Sequence, residues 1–244
     1  MDLENLGGEA EYFVHGDIYQ ERLRQGPRVG ITYLALNESI GPLHDVRVRR
    51  ALQLALDRQL LLDAVYGGRG TVENGIFPHG LIGFNPDLPE IPYKPDTARE
   101  LLAEAGYPNG FKLEINASSG STEAMLELLT LTVSMWEKIG VRATVSVLEE
   151  NDFMAKRKSG ELTCYCKTWS ADFNNPDNFI YTFFGNTENT RSRSLCYSDS
   201  GVMKRVRAAR AIVNEEERIC EYQALERKIV QEDAAWIPLF SRQH

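Results

Sequence analysis

CYCKTWSADFNNPDNF, Cys164–Phe179, carries a strand, a turn and the start of a helix in one short stretch. LTCYCKTW alternates in the manner of a strand, so Cys164 and Cys166 share one face while Tyr165 and Trp169 share the other. Asn174-Asn175-Pro176 has the composition of a turn, and Asp177 is a candidate N-cap for a short helix over 176–184 that begins near Asn178.

The same alternation of local periods runs outward from this stretch. Gly8–Val14 reads as a short strand and Asp17–Gln25 as a polar helix ended by Gly26-Pro27. VGITYLALN, Val29–Asn37, reads as a strand. Asp45 is a good N-cap for VRVRRALQLALDRQLLLDAVYGG, where Val48, Leu52, Ala55 and Leu56 recur at helical spacing in one bent helix or two. Residues 69–95 form a long Gly/Pro-rich connection, functional or packed as an Ω-type excursion. Beyond it lie a helix over 96–105, a strand in FKLEI, a helix over 122–138, a strand in RATVSVLE and a helix capped by Asn151. Helices over 198–213 and 215–233 and a strand in AWIPLF complete the chain. Strands and helices alternate throughout, which predicts an α/β fold with a mixed sheet.

Composition removes several classes. The chain has 244 residues, enough for one large domain or two modest ones, and a formal net charge of -8. With no basic stripe to meet phosphates, no nucleic-acid partner is expected. Arg47, Arg49 and Arg50 start a helix among apolar neighbours and read as a solvated face with salt bridges. The longest apolar run, near Leu60–Leu62, is too short to span a bilayer. Met1 is followed by Asp2 and Glu4 rather than by the basic and apolar regions of a signal peptide, so the expectation is a cytosolic protein or a piece of something longer.

Catalytic signatures are scarce. There is no G-x-S-x-G elbow and no H-E-x-x-H, the four histidines (His15, His44, His79, His244) are scattered, and GGRGTVENG lacks the pattern of a dinucleotide loop. No enzyme activity and no cofactor are expected. Cys164 and Cys166 would supply two zinc ligands, but a structural site wants four, with Cys196 and a histidine completing it. Buried packing residues are the plainer reading of the pair. A calcium loop on Asp172, Asn174 and Asp177 fails, because Pro176 occupies a ligand position and Phe183 stands where the bidentate Glu belongs. No metal site is therefore expected. Asp172 follows a strand end, where ligands bind in open α/β sheets. Beside the flat face of Trp169 its carboxylate suits an ammonium group. A turn aspartate bonded to its own backbone is the other reading, and both stay open.

Leu43–Phe111, with D-V-R-V-R-x-A-L, P-x-G, Y-x-P-x-x-A-x-x-L-L and A-G-Y-P-x-G-F, followed in order by WEKIGVRATV and WSADFNNPDNF, resembles the family 5 extracellular solute-binding proteins. These are the peptide- and nickel-binding components of ABC importers. The resemblance implies a periplasmic-binding-protein-like (type II) lobe with a mixed sheet flanked by helices. It implies a second lobe alone, with 1–28 as the crossover entering it and 234–244 as a strand leading back toward a first lobe. It also implies a periplasmic or extracellular protein, membrane-anchored at full length. Its partners would be a peptide or other small solute, the first lobe of the same protein and a membrane permease. The implied ligand-binding residues are Trp169, Ser170, Ala171, Asp172 and Asn174, with Asp172 as the carboxylate that meets a peptide α-amino group. Dipeptide binders carry a carboxylate-pairing arginine after the strand matching Phe111–Asn116. Here that connection reads ASSGST. An effector-sensing domain of a transcription regulator and a metal-complex receptor are the alternatives that the resemblance implies.

Overall fold

The computed structural model describes residues 29–172 and 174–241. The expected strand at 8–14, the helix at 17–25, the crossover over 1–28 and the end of the 234–244 segment lie outside the described residues. Four strands form an antiparallel sheet: β1 (Gly30–Leu36), β2 (Thr71–Val72), β5 (Cys164–Ser170) and β6 (Trp236–Ser241), in the order β2-β6-β1-β5. β3 (Lys112–Ser118) and β4 (Arg142–Leu148) form a separate parallel pair. Parallel neighbours need a crossover, and the helix α4 (Glu123–Glu137) supplies it. The mixture of strand directions is thus divided between two sheets within one α/β fold.

Period-2 alternation sends the strand residues into two cores. Leu34, Leu36, Cys164, Cys166, Ile237 and Leu239 face one layer, which also takes up α1 (Val46–Leu54), α2 (Arg58–Tyr66), α3 (Pro95–Glu104) and α4. Ile31, Tyr33, Ala35, Tyr165 and Trp236 face the other. That second layer is closed by α6 (Asp177–Phe184), α8 (Ser200–Ala209) and α9 (Glu215–Glu226). The register of β1 on β6 shifts between Thr32 and Tyr33. Pro238, which has no N–H to donate, sits at this irregularity, and Leu239 and Phe240 both pack into the first core.

Several local expectations hold in detail. Asp45 caps α1 by accepting from the Arg47 N–H at 2.8 Å, and Val48, Leu52, Ala55 and Leu56 are buried. The long helical run is two helices, with Asp57 capping the second and Gly67, at φ 61°, closing it. Others are corrected. Arg49 is not solvated: it is buried, pairs with Glu38 at 3.2 Å, and donates to the carbonyls of Leu43, His44 and Asp233. Asn151 does not cap α5 (Glu150–Ser159), whose N-cap is Glu149, two residues earlier. Asp177 is already helical. Asn175 accepts its N–H, and its carboxylate serves Tyr222 and Arg210 instead. The short helix α7 (Thr187–Arg191) has too few residues to show a period and was not legible in the sequence.

The 67–94 connection is packed rather than loose. Arg58 donates to the carbonyls of Glu73 and Ile91 and to Asn74 Oδ1, and Gln231 donates to Asn74 and Pro89. The buried Glu226 accepts the N–H groups of Ile76 and Phe77 at 2.6 and 2.8 Å. Gly75 makes this possible, because a Cβ there would fall 2.1 Å from Glu226 Oε1.

Candidate functional site

β5 runs antiparallel to β1 with Gly30 opposite Ser170 and Ile31 opposite Trp169. A Cβ on Gly30 would lie 2.9 Å from the Trp169 carbonyl, so glycine permits this close pairing at the strand end. The backbone leaves the sheet after the Ala171 N–H donates to the Val29 carbonyl at 2.8 Å. Asp172 therefore stands two residues beyond the last strand residue, exposed.

The half-buried Trp169 indole packs edge-on against Phe183, with ring centroids 5.4 Å apart. Its Nε1–H donates to Asn178 Oδ1 at 3.2 Å, and Asn178 Nδ2 donates to Asp172 Oδ2 at 3.4 Å. One buried amide thus joins the indole edge to the carboxylate. Among the described residues, the Asp172 carboxylate accepts from this side chain and not from its own backbone. The arrangement is an exposed carboxylate joined by one long amide contact to the side chain that receives the indole N–H, a combination suited to a cationic group.

The other expected residues separate. Asn174 accepts from the Ile82 N–H at 2.7 Å and donates to the Gly80 carbonyl at 3.2 Å, so it ties the 80–82 turn to the strand end. Ser170 lies one residue after Trp169 on the strand and so projects from the opposite face, exposed. Ala171 contributes its backbone. Sequence reasoning missed Asn178, whose only signal was an amide one turn into the following helix. It also missed Arg193, whose guanidinium lies 5.4 Å from the Trp169 ring centroid.

Cys164 and Cys166 lie on one face as expected, in the core opposite Trp169. Both are unbridged, and burial pushes both thiols well above their ordinary range, which keeps them protonated and apolar in character. Among the described residues no three His, Cys, Asp or Glu side chains converge to hold a metal ion. No described helix is long and apolar enough to cross a membrane.

The sequence profile of the bacterial extracellular solute-binding proteins, family 5 Middle, matches residues 5–191. The chain belongs to this family. Among its family 5 relatives, the chain is 34% identical over 217 residues to heme-binding protein A of Haemophilus influenzae, a match covering 86% of this chain and 39% of that protein. The structure of HbpA2 from Haemophilus parasuis superposes with a TM-score of 0.80 at 30% identity, covering 93% of this chain and 46% of that one. A dipeptide-binding protein from Pseudoalteromonas sp. SM9913, solved with Met-Leu, superposes with a TM-score of 0.80 at 26% identity, covering 89% and 43%. The chain therefore spans less than half the length of these proteins, and the two of known structure share its fold.

Proposed function

We propose that this chain is one lobe of a two-lobed solute receptor of an ABC importer, that its ligands are short peptides, and that Asp172 receives the peptide α-amino group. The observation that carries this reading is the exposed Asp172 carboxylate just beyond β5, linked to the Trp169 indole through Asn178. Family membership and the Met-Leu complex of the Pseudoalteromonas relative support the ligand class. A first lobe would close over the ligand by a hinge motion, and a membrane permease would take the closed form. The receptor would then work on the periplasmic or outer face of the membrane.

Calorimetry on the two-lobed protein tests the role of Asp172. Asp172→Ala is expected to weaken binding of Ala-Ala by about 2–5 kcal/mol, the usual loss when one partner of a desolvated ion pair is removed. N-acetyl-Ala-Ala, which has no ammonium group, should bind the variant and the parent alike. Unchanged affinity for Ala-Ala in the variant would remove Asp172 from the site. The name of the Haemophilus influenzae relative supplies heme as a second ligand class. A saturable Soret shift on adding hemin, competed away by no peptide, would favour it over peptides.

A further inference from the structure

The C-terminal half of α5 and the segment following α7 enclose a groove of about 490 Å³ on the Trp169 side of the four-stranded sheet. Arg157 and Lys158 line it from the helix, Ser192 and Arg193 from the segment. The two walls are joined by backbone contacts. Ser194, in the left-handed region at φ 47°, donates its hydroxyl to the Arg157 carbonyl at 2.9 Å. The Tyr165 hydroxyl donates to the Arg193 carbonyl at 2.6 Å. The two guanidinium groups are therefore placed by the fold and not by attraction to an acid.

Their electrostatics are unbalanced. The Nε atoms of both Arg157 and Arg193 are buried without a hydrogen-bond partner, while the rest of the Arg157 guanidinium also serves the Tyr165 hydroxyl. Among the described residues no carboxylate pairs with Arg157, Lys158 or Arg193. The acid in the groove wall, Glu188, is occupied by Arg191 at 2.7 Å. Lys167, on the Trp169 face of β5, adds a further positive charge over the Phe153 ring. Burial first, and the Arg157 charge second, press both Arg193 and Lys167 below their ordinary ranges. In a chain of net charge -8, four positive side chains gather at this place, two of them the half-buried Arg157 and Arg193. A buried donor without a partner is costly, so a ligand acceptor that engages these guanidinium groups would be favoured.

We infer that this groove is an anion subsite in which Arg193 and Arg157 take the carboxylate of the ligand. Arginine suits the task, since its planar fork meets both oxygens of a carboxylate. The placement also orders the ligand. Arg193 lies over the face of Trp169, at 5.4 Å, and over Phe183, at 5.6 Å, while the indole edge leads through Asn178 to Asp172. One aromatic platform thus carries a cation on one side and an anion on the other, which fits a molecule with an amine at one end and a carboxylate at the other. This pairing of ends rests on the proposed role of Asp172; the anion subsite itself does not.

The test uses this chain and a probe without an amine. N-acetyl-Ala-Ala and its C-terminal amide are titrated while the arginine side-chain Nε–H resonances are followed by NMR. The free acid is expected to shift the Arg157 and Arg193 signals saturably and the amide to leave them in place. Arg193→Gln should weaken the response to the acid at least tenfold, and so should Arg157→Gln, which alters the opposite wall should the first variant fail to fold. An equal response to acid and amide, no saturable response, or a response indifferent to both substitutions would overturn the subsite. Since the probe carries no ammonium group, failure of Asp172 as an amine anchor would leave this response intact. Failure here would leave the Asp172 titration readable.

Discussion

Two pairs of arginines in this chain differ in what surrounds their donors. Arg49 and Arg58 are buried and spend their N–H groups on main-chain carbonyls. Arg49 joins Leu43, His44 and Asp233, and Arg58 joins Glu73, Ile91 and Pro238. Each ties segments far apart in sequence. Arg157 and Arg193 are only half-buried, yet each keeps a buried Nε with no partner. The two pairs differ in burial depth, and they differ again in how far their donors are used.

Arg58→Ala should break the first side of that comparison most severely. Three buried carbonyls and Asn74 would lose a charged donor, and the 67–94 connection would lose its main tether to α2. A loss of about 3–5 kcal/mol is expected, read as a lower urea midpoint.

The carboxylate clamping the same connection sharpens the point through pH. Burial, the dominant cause, raises Glu226 from 4.5 to about 8, against the lowering effect of the Ile76 and Phe77 N–H groups. A carboxyl whose folded pKa lies above its unfolded value binds more protons when folded. Its contribution is present below about pH 4.5 and is lost as pH rises toward 8. Glu38, raised to about 7 chiefly by burial, titrates in the same direction. Stability should thus fall between pH 5 and 8, and Glu226→Gln should flatten that slope by about 1–3 kcal/mol while keeping an acceptor for both N–H groups. Urea midpoints of both proteins at several pH values across that range check this. A slope identical to the parent's would mean that Glu226 does not carry it.

Arg193→Gln should have the smallest effect on folding. It gives up cation–π contact with Trp169 and Phe183 but removes a crowded charge with an unmet donor, so the stability read from the urea midpoint should change by less than about 1 kcal/mol. A loss as large as that of Arg58→Ala would make Arg193 a structural tether and erase the contrast between the pairs.

The aromatic-plus-acid pair of the candidate site was legible because Trp169 and Asp172 are close in the chain and follow a strand whose alternation is plain. Asn178, which joins them, was not, because its link depends on how α6 turns back against β5. Arg49 misled for a similar reason. Its helix start reads as a polar face, and only the approach of the segment around Asp233 makes that face an interior one.

By itself the sequence determined most of the order of strands and helices, the two faces of β5, the cap at Asp45, and the place of an acid just beyond the end of β5. These follow from periods of 2.0 and 3.6 residues and from single-residue backbone preferences, all of which are local. Tertiary structure alone decided the division of strand directions between two sheets, the closure of the 67–94 connection over Glu226, and the meeting of Arg157 with Arg193 beside Trp169. Those depend on which distant segments pack together, and a hydrogen bond or an unmet charge exists only once they do.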